Sequence, residues 1–280
     1  MSNSWNKKTF LSRINSTAQR ERYHGGSPNS MEVELYKSAL SDIGGFDSAV
    51  IMGMTPELRN LAVSCFSNIS SIDESDDAIE LYRDWLDDEG QQRENIIKAS
   101  WFDLEQHITQ PVDAIFGDGI FGNLPDLSSH RELLSIIFKQ LSNNGRFVTR
   151  KILIPRQFDP STHSFETLLR KFRAGEIDEA EFGFGVRLVG HYSSCYNESD
   201  YILNNKKVFD DCEKAHRSGM LNDEEIALIN RYYFSGKNCI LSQDLWESTL
   251  RQEGFEFKLH QCQGKAWYEY YIIYECFKAS

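Results

Sequence analysis

The chain has 280 residues, 40% of them apolar, and carries 42 acidic against 30 basic side chains for a formal charge of −12. That length and apolar content suit one large α/β domain, or one domain with a sizeable insertion, and the acidic balance argues against a nucleic-acid substrate, whose phosphates need basic surface. No stretch approaches the ~18 continuous apolar residues of a membrane span, Met1 to Lys8 lacks the apolar core of a signal peptide, and the six cysteines at 65, 195, 212, 239, 262 and 276 form no CxxC pair, so a cytoplasmic protein with free thiols, no metal site and no membrane association is expected.

Residues 1–45 predict a helical clasp ahead of a sheet. Phe10, Leu11, Ile14 and Ala18 share one face of a helix near 7–21, Gly25-Gly26 and Ser27-Pro28 mark a loop, and a second helix is expected at 30–42, closed by Gly44-Gly45. Strands and helices then alternate: strand 48–53, helix 56–66, strand 68–73, helix 75–87, a turn around Gly90, strands 95–99 and 112–117, helix 130–141 and strand 146–154. Ser129 with Glu132 reads as a capping box for the helix at 130–141, and Asn143-Asn144-Gly145 as its closure by residues that tolerate positive φ. The alternation over 46–154 implies a doubly wound, mostly parallel α/β sheet with right-handed crossovers. Residues 155–242 break the rhythm and read as a mostly helical insertion, with helices near 162–174, 176–182 and 222–234, the last capped by Asn222 with Glu225. Between them lies an aromatic stretch from His191 to Tyr201; its tyrosines 192, 196 and 201, with 232 and 233, either line an aromatic or amphipathic pocket or form the insertion's own core. A helix at 243–252 and two β-rich runs, 255–262 and 267–277, around Gln263-Gly264-Lys265 predict an antiparallel hairpin that completes the core over 243–280.

The stretch from Ala49 to Arg59 organises the rest. An uninterrupted apolar run suits a parallel strand covered on both faces. Gly53 lets the backbone turn, Thr55 suits an N-cap, Pro56 the first helical position and Glu57 the positive end of the helix dipole. A strand that turns abruptly into a helix is where nucleotide-like ligands sit in open α/β folds.

Five α/β units followed by an antiparallel hairpin resemble the Rossmann-like fold of class I S-adenosylmethionine-dependent methyltransferases. Val50 to Arg59 resembles a variant first motif of bacterial members, with G-x-T-P-E in place of a glycine-rich loop; Asp113 to Gly119 resembles their fourth motif, and Leu141 to Arg150 their passage from helix to strand 5, with Asn144 replacing a glycine. The resemblance covers about residues 45–154 and 243–277. It implies S-adenosylmethionine as cofactor and an adenine site at the end of strand 3, where Asp103 accepts from the exocyclic amine and Trp101 or Phe102 lies beside the ring, unless those two rings serve packing alone.

The residues around the turn bear on the choice of ligand. Asp73 lies 20 residues beyond Gly53 and is placed for a ribose diol, which suits NAD and S-adenosylmethionine equally. The turn has one glycine where a pyrophosphate fingerprint has three, and Glu57 repels phosphate at the helix N-terminus. A carboxylate instead favours a sulfonium and an ammonium; Glu57 either contacts the donor's amino group or serves only the helix dipole. Asp118 and Gly119, at the end of strand 4, are placed to reach donor or acceptor, with Asn123 a weaker candidate, and Tyr23 to close over the donor. Asp118, His191 and His24 are the candidate general bases. The expected activity is methyl transfer by in-line displacement to a small-molecule or natural-product acceptor, with a peptide or protein acceptor left open. A non-catalytic methyltransferase-like binding protein and a nicotinamide-dependent reductase are the alternatives.

Overall fold

The computed structural model describes residues 27–41, 47–232 and 236–279; the helix expected at 7–21, Tyr23, His24, Gly44-Gly45 and Tyr233 lie outside the described residues. Strands β1 (Ser48–Met52), β2 (Asn68–Asp73), β3 (Glu94–Lys98), β4 (Val112–Asp118) and β5 (Leu141–Ile152) are mutually parallel, and β9 (Phe255–His260) and β10 (Tyr271–Lys278) close the sheet antiparallel. The strand order is β3-β2-β1-β4-β5-β10-β9. Three short strands of the insertion, β6 (Tyr196–Asn197), β7 (Ile202–Asn204) and β8 (Lys237–Cys239), make a second sheet.

The alternation of β1 decides the layers. Ala49 and Ile51 face a core shared with Tyr36 of α1 (Ser30–Ser38) and with Leu58, Leu61 and Ala62 of α2 (Pro56–Cys65). Val50 and Met52 face the opposite core. Beyond β2 come α3 (Asp76–Tyr82) and α4 (Asp88–Arg93), and after β3 the short α5 (Leu104–His107). The opposite core is covered by α6 (Leu127–Gln140), through Leu133, Leu134 and Ile137, and by the last helix, whose Trp246 is fully buried. The insertion has its own core, built from α7 (Phe165–Arg173), α8 (Glu179–Gly185), α9 (Tyr192–Cys195), α10 (Asn205–Arg217) and α11 (Asp223–Arg231); the last helix, α12 (Gln243–Gln252), leads back to the sheet. Tyr270 and Tyr271, at the entry to β10, belong to the insertion core.

Several local expectations are corrected. Asp126, not Ser129, caps α6: its Oδ1 accepts from the Ser129 amide at 2.8 Å, so the helix starts at Leu127. Asn143, Asn144 and Gly145 do not close that helix with positive φ; α6 ends at Gln140 and passes directly into β5. Gly145 is required for space, since a Cβ there would stand 2.8 Å from Leu141 Cγ and 3.0 Å from the Asp113 carbonyl. The helix expected over 75–87 stops at Tyr82, and Asp87 caps a new helix that contains Gly90, because its carboxylate takes the Gly90 amide at 2.8 Å. The hairpin connection is longer than Gln263–Lys265: Trp267 and Tyr268 lie in a helical turn, Ala266–Glu269, before β10 begins. The capping box of Asn222 and Glu225 forms as expected. Helix α10 lies outside the helices the sequence predicts, because only Val208, Phe209 and Cys212 mark its buried apolar face among the seven charged residues of Asn205–Arg217.

Candidate active site

The candidate site lies where the chain leaves the carboxyl ends of β1, β2, β3 and β4, the end at which open α/β sheets take their ligands. After β1 the chain turns at Gly53, whose φ of +101° suits glycine and whose amide donates to the Ile72 carbonyl at 2.8 Å. A Cβ at Gly53 would stand 3.9 Å from Asp73 Oδ2 and 4.0 Å from Trp101 Cζ2, so residues far apart in sequence meet at this turn. The Trp101 indole is held edge-on by donating from Nε1 to the Ile72 carbonyl at 3.0 Å. Asp73 accepts the Ser75 amide on Oδ1 at 2.8 Å. Burial pushes its carboxyl up to about 6, opposed by that hydrogen bond and aided by Glu74. Phe102 packs partly against the sheet core and Asp103 accepts from Gln106 Nε2 at 2.9 Å, so the strand 3 candidates share one helical turn, Trp101–Asp103.

Helix α2 starts as the sequence implies at Pro56 and Glu57, but Thr55, though at the cap position, makes no side-chain capping bond. Arg59 fixes the helix instead. Fully buried, it donates from Nε to Glu94 Oε1 at 2.6 Å and also reaches the Tyr82 carbonyl, tying α2 to β3 and α3. Glu57 is half-buried, and its charge acts on Asp118.

Asp118 is held on both oxygens by Arg150 of β5, Oδ1 to Nε at 2.6 Å and Oδ2 to Nη2 at 3.1 Å. Arg150 also donates from Nη1 to Glu32 of α1, at 2.9 and 3.0 Å to its two oxygens, and its guanidinium carbon lies 4.7 Å from the centroid of the Tyr271 ring. Burial pushes the Asp118 carboxyl above its usual range, with Glu32 and Glu57 adding to it against the pull of Arg150. Arg150, although buried, is held charged by Asp118 and Glu32. Gly119 follows in the left-handed region at φ +63°, with open space beside its Cα, and donates its amide to the Arg150 carbonyl at 3.0 Å.

His191 is elsewhere. It stacks on Phe165 at 5.1 Å between centroids and lies 3.6 Å, Nε2 to Sγ, from Cys212, so its named neighbours belong to the insertion; burial lowers its pKa. Tyr192 stacks on Tyr196 at 4.6 Å and Tyr232 is buried in the same core, while Tyr201 takes a positive φ of 61° at the turn into β7. Glu32, Tyr36 and Arg150 were not singled out from the sequence. The available signal was Arg150-Lys151, two adjacent charges inside a strand that alternation sends to opposite faces of a covered sheet. Lys151, on the other face, lies with Nζ 5.3 Å and 5.1 Å from the ring centroids of Phe121 and Trp246, and burial lowers it to about 7. Among the described residues no group of three or more His, Cys, Asp or Glu side chains is arranged to hold a metal ion.

An all-parallel dinucleotide sheet continues with a parallel sixth strand; here an antiparallel strand, β10, lies beside β5 with β9 outside it. The fold is that of the class I methyltransferases. No protein-family model matches the chain, and no curated protein does. Among solved structures, an S-adenosylmethionine-dependent methyltransferase from Clostridium acetobutylicum is similar over 98% of this chain and 100% of its own, at 10% identity and a TM-score of 0.57. The glycopeptide N-methyltransferase MtfA, complexed with S-adenosylmethionine, is similar over 91% and 96%, at 8% identity and 0.54. A Rhodobacter sphaeroides protein named for Zn-dependent alcohol dehydrogenases is similar over 100% of both chains, at 12% identity and 0.58. At such identities these are likenesses of fold alone.

Proposed function

We propose that the protein is a cytoplasmic S-adenosylmethionine-dependent methyltransferase acting on a small-molecule acceptor. One observation carries this: around Asp118 stand two further carboxylates, Glu32 and Glu57, and one guanidinium, Arg150, with the Asp73 carboxyl on the neighbouring side of Gly53. A crevice with surplus negative charge suits a ligand carrying a sulfonium and an ammonium and opposes a pyrophosphate. S-adenosylmethionine supplies, when bound, a methyl group already activated on sulfur.

In this assignment Asp73 accepts hydrogen bonds from the ribose diol, the Gly53 turn and Thr55 admit the donor backbone-side, and Glu57 faces the ammonium. Trp101 and Phe102 flank the adenine and Asp103 accepts from its amine. Gly119 leaves room beside the donor. Asp118, with both oxygens engaged by Arg150, orients the loop after β4 rather than taking a proton, and His191 shapes the insertion. Catalysis then rests on alignment and exclusion of water, with the insertion over the acceptor. Free thiols at all six cysteines accord with a reducing compartment. Among the described residues, no helix is long and apolar enough to cross a membrane.

Titration calorimetry with S-adenosylhomocysteine and, separately, NADH tests the assignment. Micromolar binding of the first is expected, and tighter binding of NADH refutes it. Donor binding without turnover over a broad acceptor panel would instead favour a binding protein.

A further inference from the structure

Helix α1 is a poor packing helix. It sends Tyr36 into the core, its Met31 is 53% exposed, and its remaining deeply buried side chain is a carboxylate, Glu32, at 1% exposure. Burying a carboxylate is costly unless it is paired, so the contacts of Glu32 state what the helix is for. Glu32 Oε2 accepts the Asn29 amide at 2.9 Å as half of a capping box and also accepts from Arg150 Nη1 at 3.0 Å. Asn29, the other half, donates from Nδ2 to the Tyr268 hydroxyl at 2.9 Å. One turn later the Tyr36 hydroxyl accepts the Arg150 amide at 2.7 Å and donates to the Gly117 carbonyl at 2.9 Å. It thereby bridges β4 and β5 at the point where both strands end in the crevice. Burial holds that hydroxyl well above its ordinary pKa, so it remains a donor across the working pH range.

Arg150 passes these contacts on. Its guanidinium holds Asp118, and its carbonyl accepts the Gly119 amide at 3.0 Å. Asp118 and Gly119, where the loop after β4 begins, are therefore both held by Arg150, one through its side chain and one through its backbone, while His130 and Asn238 hold the Phe121 and Gly122 carbonyls further on; Arg150 is in turn gripped by α1 in the same two ways, at its guanidinium by Glu32 and at its amide by Tyr36.

We propose that Glu32 and Tyr36 are positioning residues of the donor site: by gripping Arg150 and Gly117, helix α1 sets the place of the Asp118–Gly119 loop and, through it, donor affinity. The link to affinity rests on the methyl-donor assignment above; the link from α1 to the loop does not. Neither residue touches the reacting atoms.

The test uses the full chain with Tyr36→Phe, which keeps the ring against Phe116 and removes only the hydroxyl, and with Glu32→Gln, which keeps shape and removes charge. Hydrogen exchange of peptides covering 117–124 is measured without ligand, and S-adenosylhomocysteine affinity by calorimetry. Both variants are expected to unfold cooperatively, to exchange faster in 117–124 than the wild type, and to bind about tenfold more weakly, within the usual range for coupled sites. Wild-type exchange in 117–124 in both variants overturns the coupling. Faster exchange with unchanged affinity overturns the positioning role. A wild-type protein that gives no heat with the ligand removes the donor assignment, while the exchange data still judge the link from α1 to the loop.

Discussion

Replacing Asp73 by Asn probes the crevice at its most informative atom. In the free protein the Asp73 carboxyl is raised to about 6, chiefly by burial, against the hydrogen bond from the Ser75 amide that supports its charge. A diol that donates to this carboxylate binds the ionised form alone. Between pH 7 and pH 5 the ionised fraction falls from about 90% to about 10%, so affinity should fall about tenfold, or roughly 1.4 kcal/mol, over that interval. The direction follows from linkage: ligand hydrogen bonds favour the charged form, so binding takes up no proton above pH 7 and must expel one below pH 6. Asn keeps the size and one acceptor but loses the charge, at a cost of roughly 1.5–3 kcal/mol for a hydrogen bond to a charged group. Calorimetry with S-adenosylhomocysteine from pH 5 to pH 8 should show this slope in the wild type and a flat, weaker profile in Asp73→Asn. A flat wild-type profile, or a variant that keeps the slope, refutes the ribose assignment.

Glu57→Gln should weaken donor binding several-fold at low salt, about what one partly exposed charge contributes near a helix N-terminus; unchanged affinity by the same calorimetry leaves Glu57 to the helix dipole. Lys151→Met should stabilise the fold. Burial lowers the lysine from 10.5 to about 7, so the unfolded chain binds its proton more tightly across that window, and wild-type stability should rise by roughly 2 kcal/mol from pH 7 to pH 9. In urea denaturation the variant should lose that rise and gain up to roughly 4 kcal/mol at pH 7; a variant with the wild-type pH slope refutes the buried-charge account. Arg59→Met strands Glu94 and should cost about 3–5 kcal/mol, part of it recovered when Glu94→Gln is added, as a double-mutant denaturation series will report.

The sheet was legible because its strands are apolar runs between capped helices, and the Gly53 turn because Pro56 and Glu57 announce a helix start. The boundaries that failed did so where two chemistries compete. Ser129 and Asp126 both suit a cap, and the carboxylate at 126 takes the position. Gly145 suggested a turn, but its missing Cβ serves the approach of Leu141 and the Asp113 carbonyl. Of the candidate site, Gly53 and Asp73 were named from spacing and Trp101 from the family resemblance, and the three are brought together, whereas His191 lies against Phe165 and Cys212 of the insertion. The buried ion-pair network was not legible, since nothing local says that Glu32 will meet Arg150. Only the alternation of β5, which sends Arg150 and Lys151 to opposite covered faces, hinted that each needed an unusual environment.

The order in which the chain is made gives the network at Arg150 a further consequence. Glu32 and Arg150 are separated by 118 positions and Asn29 and Tyr268 by 239, and β10 must enter between β5 and β9 before Tyr271 can cover the guanidinium. During synthesis the first five strands can pair in turn, but the crevice stays unfinished until residues near 271 have emerged and docked. Contacts so distant in sequence form late and slowly. A ribosome-bound chain stopped before β10 would hold a sheet with an open edge at β5 and a binding site still lacking one wall, so competence to bind a ligand reports completion of the fold.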